Sequence, residues 1–385
     1  MGAKLFLYLH RDPYDHQGTE KLFLKAMEEN LAYHRRKNPA YRKILGRYGA
    51  ERLSSIRSMT DLEKIPPLPT ALFKRQKLWT LKERQMWIRA TSSGTGGQRS
   101  QMGFDLESIF FGGLMTLSLG RYHQLFSRTP ADYLMLGYAP NPGDERIVTK
   151  TQKITSLFAP PASYTYALRG QKGRYHLDME GLLEGLERYG KSRLPVRIVG
   201  FPSYLFFLLK GLKEQGRRYR LPPGSMALLG GGWKEHHREQ VDKEELGRLL
   251  EEILGIPESR VREFFGAAEH PSLYCACPRR HFHVPIYSRA IIRDVRTLEP
   301  VGYGVPGLLD LLTPLAKGMP LLSVMTDDLA VLHEGGSCGC PIKTPYFEIL
   351  GRAGLEEIQT CAAGAQKLLR AEAQGLHRVD VQELL

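Results

Sequence analysis

The chain has 385 residues, which is more than one hydrophobic core usually organises, so a large domain with a smaller one is expected. Its composition is that of an ordinary globular protein. No apolar run approaches the roughly 18 residues that span a bilayer, and the N-terminus lacks a signal peptide, which predicts a cytoplasmic protein. The formal net charge of +13 suits ATP, coenzyme A, an acidic carrier protein or nucleic acid, but no nucleic-acid-binding motif accompanies it.

The first part of the chain is predicted to be helical over residues 18–58 and to continue in a turn-prone segment at 65–74. The elements predicted next are a strand at 86–90, a glycine-rich loop at 91–100, a helix at 105–119, a strand at 196–199, a helix at 204–213, a strand at 226–229 and a helix at 242–254 capped by Asp242. Strands separated by helices of this length predict an α/β fold with parallel sheets flanked by helices.

The pattern changes after residue 281. Short β-like runs broken by Gly and Pro predict a β-rich subdomain over about residues 282–350, so the large domain is expected to span 1–351. The remaining residues, 352–385, are predicted to form a short, mostly helical C-terminal segment that is too small for an independent domain.

The glycine-rich loop at 91–100 (TSSGTGGQRS) has the composition of a phosphate-binding loop. It contains five hydroxyl residues, three glycines and Arg99. Glycines let backbone N–H groups approach an anion, hydroxyls add donors, and a helix N-terminus following the loop would add its dipole. It is not a Walker A loop, since no Gly-Lys-Ser/Thr follows the required gap. On composition alone, a flexible turn is an equal alternative.

Four further sequence motifs follow the loop along the chain. They are GGGWK at 230–234, FFGAAE at 264–269, TDDL at 326–329 and GR at 351–352. Together with the loop they resemble the core motifs of the adenylate-forming superfamily. Within it, the chain most resembles the acyl-protein synthetases (long-chain fatty acid–luciferin-component ligases) of the bacterial luminescence fatty-acid reductase complex, with phenylacetate-CoA ligases next. The likeness extends to PPLPTALFK at 66–74, GFPSYL at 200–205 and ILGRA at 349–353, and covers nearly the whole chain.

The resemblance implies an adenylate-forming large domain and roles for individual residues. Glu269 would bind Mg²⁺, whose preference is for hard carboxylate oxygens. Phe265 would stack near adenine, Asp328 would accept both ribose hydroxyls, and Arg352 would contact ribose or phosphate at the hinge. The glycine wall beside adenine would consist of Gly230, Gly231 and Gly232. The phosphate-binding residues of the loop would be Thr91, Ser92, Ser93, Gly94, Thr95 and Gly96.

The acyl acceptor is the second implication of the resemblance. Cys361 lies nine residues after Arg352, where the luminescence acyl-protein synthetases carry a cysteine that accepts the acyl group as a thioester. The preceding Gln-Thr departs from the Arg-Gly expected there. Larger superfamily members have a C-terminal domain with a catalytic lysine, which this chain is expected to lack. Either another cation, for which Lys234 is the candidate, stabilises the transition state, or adenylation is slow. The acyl pocket is expected to be lined from 133–138 and 200–209.

The cysteines carry a separate signal. Four of the five form C-x-C pairs at 275–277 and 338–340, and an odd count without a secretion signal argues against a disulfide framework. The residues predicted to form a closed tetrahedral site for structural zinc are Cys277, His283, Cys338 and Cys340. Cys275 or His281 could replace one member, and reduced thiols without metal are the remaining interpretation.

The predicted reaction has two steps. A fatty-acid carboxylate attacks the α-phosphorus of Mg·ATP and forms an acyl-adenylate, after which the thiolate of Cys361 accepts the acyl group and passes it to a partner reductase. The first alternative uses coenzyme A as the acceptor. The second is a non-catalytic basic protein that binds RNA, with the loop serving only as a turn.

Overall fold

The computed structural model describes residues 2–50, 53, 55–91, 101–140, 158–171, 174–231 and 241–352. The fold is mixed α/β with parallel and antiparallel strands, which confirms the predicted class. Two compact units are present: the first takes the described residues up to 91, with 101–123 and 266–352, and the second takes those from 124 to 265. The predicted boundary after 351 stays a prediction, since 353–385 lie outside the described residues. None of the helices in the described ranges is long and apolar enough to cross a membrane.

Polar side chains start several of the helices. Asp15, Asn38 and Asp105 each accept a hydrogen bond from a backbone N–H in the first turn that follows. The helices are α1 (Gly2–Leu9), α2 (His16–Lys37), α3 (Pro39–Arg47), α4 (Met59–Glu63), α5 (Thr70–Arg75), α6 (Leu106–Tyr122), α7 (Met179–Gly190), α8 (Pro202–Glu214) and α9 (Lys243–Leu254). Asp242 occupies the predicted N-cap position of α9, although its side chain accepts no capping hydrogen bond, and Gly255 ends that helix with a φ of 68°.

The strands complete the framework. They are β1 (Leu68–Pro69), β2 (Ile88–Thr91), β3 (Gln101–Phe104), β4 (Ala131–Tyr138), β5 (Pro161–Gln171), β6 (Arg174–Leu177), β7 (Val196–Gly200), β8 (Met226–Gly230), β9 (Val261–Ala267), β10 (His270–Cys275), β11 (Phe282–His283), β12 (Arg289–Arg293), β13 (Pro300–Val301), β14 (Gly307–Leu312), β15 (Ser323–His333) and β16 (Tyr346–Arg352). The strands predicted at 196–199 and 226–229 are confirmed, each with one more residue at its end.

The first unit contains a mostly antiparallel sheet in the order β11-β16-β15-β14-β12-β13, with β1 parallel beside β15. A buried ion pair ties two of its strands: Arg293 Nε lies 2.7 Å from Asp310 Oδ2, and Ser323 donates its hydroxyl to the same carboxylate. Burial raises the pKa of Asp310, and the Arg293 charge opposes that shift. Because neither charged group is exposed to water, each charge is stabilised mainly by the opposite charge of its partner.

The second unit is built on a sheet whose central strands run parallel. The order of its strands is β9-β8-β7-β4-β5-β6, with β6 antiparallel to β5. All eight residues of β4 are buried, as are the first four of β7 and of β8. Strands buried on both faces are typical of parallel sheets covered by helices, here α7, α8 and α9.

The strand predicted at 86–90 and the helix predicted at 105–119 are confirmed with shifted bounds, and a strand that was not predicted lies between them. The strand predicted at 86–90 begins only at Ile88, because the amides of Gln85 and Met86 bond back to Lys82 and Glu83 in a 3₁₀ turn. The four residues between the loop and the predicted helix had no predicted structure. Residues 101–104 form β3, which pairs antiparallel with β2, so the loop connects two strands of a hairpin and the N-terminus of α6 comes after β3.

Candidate functional site

The β15–β16 hairpin carries two residues that the sequence predicts as nucleotide contacts. Asp328 and Arg352 are Cα partners in its antiparallel register. The register then shifts, since Leu329 opposes Gly351 whereas Ala330 opposes Ile349, which leaves Leu350 as the extra residue of a β-bulge. Bulges twist a strand locally and redirect side chains beside functional sites. The half-buried Asp328 therefore lies one residue pair away from a bulge.

The two carboxylates of the TDDL segment have different surroundings. Thr70 donates its hydroxyl to Asp327 Oδ1 at 2.9 Å, just where β1 pairs with β15. Thr326 accepts a hydrogen bond from the backbone N–H of Asp328 at 3.2 Å and donates its own hydroxyl to Leu309 O. The Thr70–Asp327 contact is a positioning interaction that the sequence did not predict, although the PPLPT segment was part of the resemblance. It assigns Asp327 to the scaffold and distinguishes it from Asp328.

Glycines line the carboxyl ends of β7 and β8, the edge at which open α/β sheets bind ligands. A Cβ on Gly231 would lie 2.3 Å from the ring of Phe201, and Gly231 has a φ of 85°, so this position requires glycine. Gly230 is different, because a Cβ there would make only ordinary contacts with Phe264, its partner on β9. The backbone of Gly231 thus approaches an aromatic ring closely, while the predicted place of Gly230 and Gly231 beside adenine stays a prediction.

Phe265 and Glu269 lie close together in the sequence, at the end of β9 and just after it. Phe265 lies on β9 and is half-buried. Glu269 lies in the turn between β9 and β10 and is 6% exposed. The role of Glu269 as a Mg²⁺ ligand stays a prediction.

Several predicted site residues lie outside the described residues: Ser92, Ser93, Gly94, Thr95, Gly96, Gly232, Lys234 and Cys361. Thr91 ends β2 opposite Gln101, and Arg352 ends β16. The roles of all these residues stay predictions.

The structure brings the four predicted zinc ligands together. The ligand atoms of Cys277, His283, Cys338 and Cys340 all lie within 4.8 Å of one another, and all four residues are buried. Of the two alternatives, Cys275 is not a member of this group, while Nδ1 of His281 lies 3.1 Å from the Cys338 sulfur. The sequence did not predict a supporting contact from a backbone carbonyl, 2.7 Å from His283 Nδ1, which Thr344 supplies.

An apolar cavity of about 20 Å³ lies in the core of the second unit. Its walls include Leu136 from β4 and Tyr204 and Leu208 from α8, which fall within the two segments expected to line the acyl pocket. This volume accommodates about one water molecule and is far too small for an acyl chain. The predicted pocket lining stays a prediction.

Solved structures of other proteins share this fold. The chain is similar to 2-hydroxyisobutyryl-CoA ligase in an open conformation in complex with 2-HIB-AMP and CoA, with a TM-score of 0.64 and 14% identity over 92% of this chain and 81% of that one. The postadenylation state of the same ligase in complex with 2-HIB-AMP gives a TM-score of 0.65 and 14% identity over 94% and 74% of the two chains. The fold is that of the adenylate-forming ligases.

Sequence comparisons identify the family. The model described as "Acyl-protein synthetase, LuxE" matches residues 7–369, so the chain belongs to the LuxE acyl-protein synthetase family. A long-chain-fatty-acid–luciferin-component ligase from Vibrio harveyi is 25% identical over 366 residues, covering 93% of this chain and 91% of its own. One from Aliivibrio fischeri is 24% identical, with 80% and 79% covered. The protein is an AMP-forming acid–thiol ligase that activates an acyl group through an adenylate.

Proposed function

We propose that the protein activates a long-chain fatty acid with Mg·ATP, transfers the acyl group to its own Cys361 and delivers it to a partner reductase. The observation that carries the proposal is the family match over residues 7–369, which includes the position of Cys361. The names of the Vibrio harveyi and Aliivibrio fischeri relatives support a fatty acid as the substrate and a luminescence-type reductase as the recipient.

In the first step the fatty-acid carboxylate oxygen attacks the α-phosphorus of ATP, and pyrophosphate leaves. Bound Mg²⁺ supplies charge neutralisation on the phosphates, and Glu269 is the carboxylate that would hold it. Asp328 accepts hydrogen bonds from the ribose hydroxyls, and Arg352 contacts ribose or phosphate. The hydroxyl and backbone donors of the loop bind the phosphates, while Lys234 stabilises the developing negative charge. Catalysis then consists mostly of positioning and electrostatic stabilisation.

In the second step the Cys361 thiolate attacks the carbonyl carbon of the mixed anhydride. A C–S bond forms, the bond from the carbonyl carbon to the AMP oxygen breaks, and AMP leaves with both electrons. The thioester keeps the acyl group activated for transfer to the reductase. Support comes from the match of position nine residues after Arg352, although the preceding Gln-Thr differs from the family pattern.

A second candidate uses coenzyme A as the acceptor in place of Cys361. It is favoured by the solved ligase of similar fold, which was crystallised with both an acyl-adenylate and CoA. The first step and its residues are the same in both candidates. They differ in whether the acyl group ends on the protein or on a small thiol.

Pyrophosphate exchange across a panel of carboxylic acids tests the first step. We expect ATP–pyrophosphate exchange that depends on long-chain fatty acids, with little response to short-chain or aryl acids. Absence of exchange with every acid, together with salt-sensitive retention on RNA, would instead favour the non-catalytic alternative.

Acyl labelling tests the second step. With ATP and radiolabelled fatty acid, the wild-type protein should acquire a hydroxylamine-labile label, and Cys361→Ser should lose the label while keeping pyrophosphate exchange. A Cys361→Ser variant that labels as well as the wild type would contradict transfer to this cysteine. Formation of acyl-CoA by that variant would support the second candidate.

A further inference from the structure

We propose that Cys277, His283, Cys338 and Cys340 bind one structural zinc ion that closes the end of the β15–β16 hairpin. The chain supplies these ligands from two separate segments, one after β10 and in β11, the other in the connection between β15 and β16. The inference concerns a site apart from the acyl-transfer chemistry, and its test does not depend on activity.

The distances fit tetrahedral coordination. Zinc bonds of about 2.3 Å to sulfur and about 2.0–2.1 Å to nitrogen give tetrahedral edges of about 3.8 Å between two sulfurs and about 3.6 Å between sulfur and nitrogen. The sulfurs of Cys277 and Cys338 are 3.6 Å apart, and the Cys340 sulfur is 3.3 Å from Nε2 of His283. Four ligand atoms within 4.8 Å of one another leave space for one ion at their centre.

The groups around the ligands orient them for a cation. Nδ1 of His283 donates to the carbonyl of Thr344 at 2.7 Å, which leaves the lone pair of Nε2 directed at the sulfurs. The backbone N–H of Ile342 donates to the Cys340 sulfur at 3.4 Å, a contact that stabilises a thiolate. His283 is fully buried, so its ring has no water to bind in place of a ligand.

The backbone of the second segment is shaped to present both of its sulfurs. Gly339, between the two cysteines, has a φ of 72°, which favours glycine and turns the chain sharply. Gly335 packs so tightly that a Cβ would lie 2.1 Å from the carbonyl oxygen of Lys343. The loop is thus closed on itself with the cysteines pointing to one centre.

The donor set specifies both the metal and its role. Three thiolates and one imidazole are soft and borderline ligands that select zinc over Mg²⁺ or Ca²⁺. Four protein ligands complete a tetrahedron and leave no position for substrate, so the ion is structural. It lies beyond His333 and Tyr346, the last pair of the hairpin, about 17 Å along β15 from Asp328 at about 3.3 Å per residue.

His281 is assigned outside the ligand set. Its Nδ1 lies 3.1 Å from the Cys338 sulfur, but the ring is not in the group whose ligand atoms all lie within 4.8 Å of one another. Its Nε2 lies 3.1 Å from a carboxylate oxygen of Glu348. The ring therefore connects the Cys338 sulfur to β16 as a hydrogen-bonding neighbour of the site.

Metal analysis of the purified full-length protein tests the proposal. We expect one zinc per chain, released when the thiols are titrated with a mercurial. Replacement by Co²⁺ should produce the visible absorption of tetrahedral cobalt with sulfur-to-metal charge transfer. Removal of zinc by a strong chelator should lower the Tm by roughly 5 °C or more, because metal binding free energy is folding free energy.

Matched variants identify the ligands. Cys340→Ser and His283→Ala should lose the zinc, and His283→Cys should recover it, since four cysteines also form a structural zinc site. Cys275→Ala and His281→Gln, which change a neighbouring cysteine and histidine, should keep it. If Cys340→Ser does not fold, the metal content and cobalt spectrum of the wild type still decide the matter.

Three results would overturn the proposal. The first is wild-type protein that contains no zinc and gives no tetrahedral cobalt spectrum. The second is iron in place of zinc, with the visible spectrum of an iron–sulfur centre. The third is zinc that survives Cys340→Ser but is lost in His281→Gln, which would replace the ligand set. None of these outcomes bears on pyrophosphate exchange, so they are distinguishable from a failure of the proposed function.

Discussion

Asp328 on β15 and Arg352 on β16 are direct partners across an antiparallel strand pair. The two residues were predicted as nucleotide contacts from separate motifs, and the hairpin places their backbones on one rung. A hairpin inside a larger sheet is a rigid support, which catalytic positioning requires. The proposed zinc ion closes this hairpin at its other end.

Substitution of Asp328 should impair nucleotide use specifically. Asp328→Asn removes a charged acceptor for two ribose hydroxyls, and each charge-assisted hydrogen bond is worth about 1.5–3 kcal/mol, so kcat/KM for ATP should fall roughly 100-fold. Pyrophosphate exchange over a range of ATP concentrations measures the effect.

The adjacent carboxylate provides the control for that experiment. Asp327→Asn weakens the bond from Thr70 and should lower stability by about 1 kcal/mol with little change in kcat/KM. Equal losses of exchange in the two variants would contradict the separate roles assigned to Asp327 and Asp328.

The two described glycines of the predicted wall should respond differently to alanine. Gly231→Ala forces a Cβ against Phe201 at a positive φ and should destabilise the fold by roughly 1–3 kcal/mol, measured by urea unfolding. Gly230→Ala meets only ordinary contacts, so stability should be unchanged within about 0.5 kcal/mol. A raised KM for ATP in a fully stable Gly230→Ala variant would support its place beside adenine, and an unchanged KM would argue against it.

The buried pair Arg293–Asp310 should be strongly asymmetric to mutation. Asp310→Ala leaves an unpaired guanidinium in the interior and should cost roughly 3–5 kcal/mol in the free energy of unfolding. The double variant Arg293→Met with Asp310→Leu removes both charges and should recover much of that loss. A double variant less stable than Asp310→Ala would show that other hydrogen bonds of Arg293, to Leu298 and Glu63, dominate.

Three buried histidines should make the protein sensitive to mild acid. Burial lowers the pKa of His16 to about 3, of His34 to about 4 and of His270 to about 3. Below about pH 6.5 the unfolded chain binds protons that these folded side chains do not, so stability falls as the pH is lowered. Each histidine contributes up to about 1.4 kcal/mol per pH unit between its folded and unfolded pKa values.

Urea unfolding between about pH 6.5 and about pH 5, where most carboxylates stay ionised, measures this slope. His34→Gln should reduce the slope by the contribution of one proton, whereas His176→Gln, at an exposed position, should leave the slope unchanged. An identical slope in His34→Gln and the wild type would contradict the assignment of His34 as neutral in the fold.

The local elements were predictable because their signals lie within a few residues. The apolar runs of β7 and β8 and the strong amphipathic period of α9 depend only on nearest neighbours along the chain, and their boundaries were confirmed to within about two residues. The glycine-rich loop was harder. β3 is held as a strand by its pairing with β2, which a local pattern does not contain, so no strand was predicted between the loop and the helix at 105–119.

The sequence by itself determined the family and the candidate chemistry, because an ordered set of motifs spread over the chain is specific even when each motif is weak. It also named four candidate zinc ligands from the spacing of cysteines and a histidine. Only the tertiary structure decided which residues lie beside one another. Thr70 donates a hydrogen bond to Asp327, Asp328 is paired with Arg352 across two strands, and the sulfurs of Cys277 and Cys338 lie 3.6 Å apart. Those relationships join residues far apart in the chain, and register, bulges and packing fix them by long-range contacts that no local pattern encodes.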